Sequence, residues 1–213
     1  RRALRRELGL PEDLVLILFV GFFSHEKCPD LLFEAWTRVQ GDELPDTGLV
    51  FVGATRSRYH EVDPALAQKI RDEAQHLGVE KQVIFIEVTH EIEKFYRAAD
   101  HFVLSSSREG MPLALLEAMA TGLSCVASRL PGVTDVVIED GVNGLLVPPG
   151  DVGALEDALR ILVRDPALAR NLGRKARETV QEHYSNRQMA SLYLKAYQHL
   201  VGSPGQEGET EVA

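Results

Sequence analysis

Residues 101–128 read HFVLSSSREGMPLALLEAMATGLSCVAS, and the fold turns on this stretch. The apolar run HFVL is followed by three hydroxyl residues, Ser105 to Ser107, and a turn through Glu109 and Gly110. An apolar helix starts at Met111 or Pro112 and is closed by Gly122, and SCVAS follows as a second short run. Two short runs joined by one helix make a β-α-β unit with parallel strands. Upstream, LVLILFVG (Leu14 to Gly21) is apolar throughout, the pattern of a strand buried on both faces. The loop FFSHEKC follows it, and Pro29 and Asp30 open the helix DLLFEAWTRVQ, since proline suits the first helical turn.

GLVFVG (Gly48 to Gly53) and QVIFI (Gln82 to Ile86) read as further strands. Helices are expected from Pro64 to Leu77 and from His90 to Ala98. Downstream, a short helix from Gly132 to Ile138, a turn at DGVNG and a sixth strand at Leu145 to Val147 complete the pattern. Asp151 is placed to cap one helix, Pro166 to open a second, and a third is expected from Asn186 to Leu200. Strands alternating with helices in this rhythm predict an α/β fold, a doubly wound parallel sheet of about six strands in the order 3-2-1-4-5-6 with C-terminal helices. Ligands bind such Rossmann-like sheets at the carboxyl ends of the strands, between strands one and four. That rule brings FFSHEKC opposite SSSREGM.

Composition narrows the function. A formal net charge of -9 over 213 residues argues against a nucleic-acid partner, which needs a basic face. Two separated cysteines, Cys28 and Cys125, build neither a disulfide framework nor a metal cluster, and read as small buried thiols in a reducing cytoplasm. Cys28 also precedes a helix start, a position that lowers a thiol pKa. No apolar run reaches the length of a membrane span. RRALRRELGLP, with four arginines in six residues, reads as a short linker helix with a solvated basic face. The tail GSPGQEGETEVA has the composition of a disordered segment, which places a single domain at residues 1–202, a connector at 1–12 within it, and a disordered tail at 203–213.

The chemistry gathers around the two facing loops. Glu117 lies on an apolar helix, where a carboxylate is costly to bury without partners. Two readings stay open: it reaches solvent or a nearby cation, or it accepts hydrogen bonds from a polyol. Glu109 at the helix mouth has capping as its default role. The amides of Gly110, Met111, Leu113 and Ala114 can converge on an anion, and Gly110 admits a close backbone approach. Lys27, alone a solvated surface lysine, becomes a diphosphate clamp if it faces that helix end. His25 and Glu26 lack partners at metal-ligand spacing, and His101, opening a buried strand, reads as structural. There is no GxGxxG after the first strand, no P-loop and no GxSxG elbow.

The run from Ser105 to Asp151, SSSREGMPLALLEAMATGLSCVASRLPGVTDVVIEDGVNGLLVPPGD, resembles the C-terminal donor-binding half of retaining glycosyltransferases of family 4, which have the GT-B fold. Glu109 and Glu117 match that family's E-x7-E motif, and VGFFSHEKCPDLLFEAW resembles its VGRL-x-x-EKG segment. The resemblance implies that Glu117 binds the ribose hydroxyls of a nucleotide and that Glu109 holds the donor sugar. Gly110, Met111, Leu113 and Ala114 then contact sugar and phosphate, Lys27 contacts the diphosphate, and Gly21 lets the loop lie against the ligand. Glu109 and Lys27 are thus the implied catalytic residues.

It further implies a nucleoside-diphosphate sugar as donor, no cofactor and no metal, because a lysine and a helix N-terminus can stabilise the leaving phosphate themselves. The acceptor, a glycan, lipid or small molecule, would bind an N-terminal domain that is not in this chain. This portion by itself would bind nucleotide weakly and transfer nothing. A cytoplasmic location follows, with peripheral membrane association open to the full-length protein. Three positions depart from the family pattern. Phe22 stands where the family has a diphosphate arginine, with Arg56, Arg58 and Arg108 as candidate replacements. Glu87 replaces a glycine, and ATRSRYHEVD replaces a short Gly-rich turn. Phe22 motivates the alternative of a non-catalytic sugar-nucleotide or protein-binding module.

Overall fold

A computed structural model describes residues 1–40, 44–55 and 61–202. The expected strands form one six-stranded parallel sheet in the order β3-β2-β1-β4-β5-β6. They are β1 (Val15–Val20), β2 (Thr47–Val52), β3 (Val83–Ile86), β4 (His101–Leu104), β5 (Ser124–Ser128) and β6 (Leu145–Val147). The apolar runs dictate this. Along β1, Ile17 and Phe19 enter the core on one face while Leu16 and Leu18 enter the core on the other. Helices α2 (Pro29–Val39), α3 (Pro64–His76) and α6 (Val152–Arg164) cover the first face. Helices α1 (Arg2–Glu7), α4 (Ile92–Ala98) and α5 (Leu113–Ala120) cover the second. α7 (Pro166–His183) contributes Leu172 to one core and Ala176 and Val180 to the other. Asp151 caps α6 as expected, accepting from the Ala154 amide; Asp63 likewise accepts from Ala65 and Asp165 from Ala167 and Leu168, one residue before the prolines that were expected to open those helices.

Three expectations need correction. The segment 131–137 is a series of turns rather than a helix. Gly132 has φ 72°, and the buried Thr134 hydroxyl accepts from the Leu130 amide and donates to the Ser128 carbonyl, holding the chain in a tight loop. The basic arm is not merely a solvated face. Arg5 is buried, and its guanidinium donates to the carbonyls of Ala98, Glu12 and Leu14 and to Asp100 Oδ2. α1 is thereby fixed to the end of α4. α5 begins at Leu113 rather than at Met111 or Pro112, because Pro112 (φ -80°, ψ 67°) adopts an inverse γ-turn in which the Leu113 amide donates to the Met111 carbonyl. The tail 203–213 lies outside the described residues. α8 (Asn186–Gly202) continues from α7 with Leu192, Tyr193 and Tyr197 exposed. Among the described residues no helix is long and apolar enough to cross a membrane.

Candidate functional site

The carboxyl ends of β1 and β4 deliver the two loops to one place, and the three serines join them. Ser105 Oγ donates to the carbonyls of Lys27 and Cys28, and the Ser107 amide donates to the Glu26 carbonyl. These contacts clamp the loop that carries Lys27 onto the loop that carries Glu109. Ser106 Oγ donates to Glu109 Oε1 at 2.7 Å, and Lys27 Nζ reaches the same oxygen at 2.7 Å. Glu109 therefore does not cap α5. Its side chain is only 6% exposed, against 29% for Lys27, so this is a largely desolvated ion pair.

Glu117 faces the same space from α5. It is exposed, and Tyr96 Oη of α4 donates to its Oε2 at 2.8 Å. No cation pairs with it among the described residues, so of the first reading only the reach to solvent stands, and its Oε1 is left open to a ligand hydroxyl as the second reading requires. Burial, reinforced by the Glu117 carboxylate, pushes the Tyr96 phenol well above its ordinary range, so Tyr96 remains a donor.

The cavity between these groups encloses about 480 Å³, within the range of small-molecule sites. Gly21, Phe22 and Lys27 form one wall, and Glu109, Met111, Pro112, Leu113, Ala114 and Glu117 form the opposite wall. Val52, Val88, Thr89 and Ile92 complete it with a mainly apolar flank. Of the residues expected at the site, Gly110 alone does not line the cavity; it is exposed, with nothing near the position of an added Cβ. The Leu113 amide is occupied by the γ-turn, which corrects its expected availability, while its side chain does line the cavity. Those of Gly110, Met111 and Ala114 make no hydrogen bond among the described residues. Gly21 and Gly53 meet back to back: a Cβ at Gly53 would lie 2.0 Å from the Gly21 carbonyl oxygen, so no side chain is tolerated there.

The family model described as "Glycosyl transferases group 1" matches residues 1–179. The chain belongs to the group 1 glycosyltransferases. A D-inositol 3-phosphate glycosyltransferase of Kribbella flavida is 35% identical over 184 residues, covering 84% of this chain and 42% of that protein. Sucrose-phosphate synthase of Thermosynechococcus elongatus superposes with a TM-score of 0.81 at 30% identity, over 94% of this chain and 49% of that one. The Anabaena protein HepE, solved in complex with UDP-glucose, shares the fold with a TM-score of 0.78 at 22% identity, over 91% of this chain and 52% of that one. The fold matches that of GT-B glycosyltransferases. The chain spans about half the length of these proteins.

The departures from the family pattern now have positions in this glycosyltransferase domain. Phe22 lines the cavity, and Lys27 is the one cation doing so among the described residues. Arg108 is spoken for by Glu26 at 2.8 Å and lies outside the cavity, while Arg56 and Arg58 lie outside the described residues. Glu87 does not line the cavity; its carboxylate accepts from the amide and hydroxyl of Thr55 and so ties the end of β3 to the end of β2. His25 pairs with Asp63 and Glu26 with Arg108. The Cys28 thiol is pushed up by partial burial, so its place before a helix start does not acidify it. Sequence reasoning missed Tyr96 and Ser106. The Ser-x-x-Glu spacing of Ser106 and Glu109 was the available signal for one, but Tyr96 has none because its partner is on another helix.

Proposed function

We propose that this domain binds a nucleoside-diphosphate sugar and that the full-length protein transfers the sugar to an acceptor hydroxyl with retention. The observation that carries this reading is the convergence of Lys27, Glu109 and Glu117 on one cavity. The apolar flank of Val52, Val88 and Ile92 suits a flat heterocycle, and Glu117 Oε1, which has no partner among the described residues, suits a ribose diol. Glu109 Oε2 is likewise left for sugar hydroxyls. The Lys27 ammonium has three protons and gives one to Glu109, so it can hold a phosphate oxygen without leaving its partner. HepE, solved with UDP-glucose, supports a donor of this class.

In the reaction, the bond from the sugar anomeric carbon to the diphosphate oxygen breaks and a bond to the acceptor oxygen forms on the same face. The acceptor proton passes to the departing diphosphate, whose charge Lys27 and the amides before α5 stabilise. The proposal needs no metal, so EDTA leaves turnover unchanged. The cytoplasmic location and an acceptor held by a further domain belong to the same proposal. In calorimetry on the full-length protein, Glu117→Ala weakens UDP or GDP binding by about 10-fold or more, the scale of hydrogen bonds to a charged group. Glu109→Ala mainly lowers turnover of intact donor. Full activity in both variants would remove the site assignment. Phe22 in the cavity favours one other reading, a non-catalytic binding module; wild-type nucleotide binding without any turnover would select it.

A further inference from the structure

Each site carboxylate is held through one oxygen by a hydroxyl from the protein interior. Tyr96 is 2% exposed, and its ring packs against Phe102 of β4 with centroids 6.0 Å apart. The ring sits in the core while the hydroxyl reaches Glu117 Oε2 at the cavity wall. Ser106 is 0% exposed and donates to Glu109 Oε1. In both cases the second carboxylate oxygen has no partner among the described residues. A carboxylate on a flexible glutamate loses rotamer freedom when it binds a ligand, and an anchored one has already lost it. The anchors also fix which oxygen is left for the ligand.

We infer that Tyr96 and Ser106 are separate positioning residues, Tyr96 presetting Glu117 for the nucleoside and Ser106 presetting Glu109 for the transferred sugar. This rests on the donor-binding reading above. The two hydroxyls sit on different elements, and each contacts one carboxylate only. Removing either therefore affects one end of the donor and spares the other. Neither removal strands a buried charge. Glu117 is open to water, and Glu109 keeps its bond from Lys27.

The test uses Tyr96→Phe and Ser106→Ala in the full-length protein, with UDP and GDP as binding probes and UDP-glucose and GDP-mannose as donors. Nucleotide affinity is read by calorimetry and turnover by nucleotide release, which needs no identified acceptor. Tyr96→Phe is expected to weaken the preferred nucleotide by about 5- to 10-fold while kcat with saturating donor stays within twofold. Ser106→Ala is expected to leave nucleotide affinity within twofold and lower kcat by about 5- to 10-fold. Melting temperatures monitored alongside separate positioning from folding. Equal loss of both parameters in both variants, in step with a lowered melting temperature, overturns the inference, as does wild-type behaviour in both. If the wild-type protein binds neither nucleotide, the donor-binding reading fails and takes this inference with it.

Discussion

At the amino ends of the strands, Arg5 is tied to Asp100 and His101 to Ser124, and the first pair is bonded further to nearby backbone. Arg5 donates to Asp100 Oδ2 at 2.6 Å, the Leu16 amide donates to the same oxygen, and His101 Nδ1 lies 2.7 Å from Ser124 Oγ. At the carboxyl ends the same kinds of side chain behave differently. Glu109 and Glu117 are each held through one oxygen and present the other without a partner among the described residues. Arginine, aspartate, histidine and serine in one small cluster would invite a functional reading in any sequence. Here the measure that separates structure from function is how much hydrogen-bonding capacity remains after the protein's own needs are met.

The sharpest way to break this comparison is to remove Arg5. A buried ion pair that loses one partner strands the other charge, at a cost of about 3–5 kcal/mol. Asp100 retains Arg1 and the Leu16 amide, which places Arg5→Ala near the lower end of that range. Urea denaturation should show the loss as a lower midpoint with an unchanged slope. A loss below about 1 kcal/mol would mean that α1 is a loose connector and that the amino-end network does not bind it to the domain.

His101 sharpens the same contrast through pH. Burial depresses its pKa to about 4 in the folded chain, against an unperturbed 6.5. The folded form keeps the ring neutral while the unfolded form takes up a proton, so stability is full above about pH 6.5 and falls as pH drops toward 4. Between pH 7 and pH 5 the loss is about 2 kcal/mol. His101→Asn should flatten that segment of a stability–pH curve, measured by denaturation at each pH. An unchanged slope would place the titrating group elsewhere.

Much of this was legible in the sequence. The run Leu14 to Gly21 is apolar at every position that points to either face, so a strand covered on both sides was its natural reading. The alternation with helices then pointed to the doubly wound strand order that the sheet adopts. Aspartate and proline at helix starts were readable because capping is local. Two of the failures are where a partner lies far along the chain. Arg5 finds Ala98 and Asp100 more than ninety residues away, and Tyr96 finds Glu117 across two elements. The turns at 131–137 were misread because one buried threonine outweighs helix-compatible composition.

At the carboxyl ends, the smallest expected effect concerns charge. The cavity lining carries Lys27 against Glu109 and Glu117, so among the described residues it is net negative before any diphosphate arrives. Lys27 is already 2.7 Å from Glu109, which offsets part of its field. A diphosphate bound here therefore meets less positive charge than its own negative charge demands. Phe22 shares the wall with Lys27 and Gly21, so an arginine there would point its guanidinium into the same space. One added charge-assisted hydrogen bond contributes about 1.5 kcal/mol or more, equivalent to about a tenfold gain in affinity. Phe22→Arg in the full-length protein should tighten UDP or GDP binding by that factor in calorimetry, and the gain should shrink as salt is raised. If affinity does not change, the missing charge is already supplied from outside the described wall, and the open capacity at this end of the sheet is smaller than the geometry of Glu109 and Glu117 suggests.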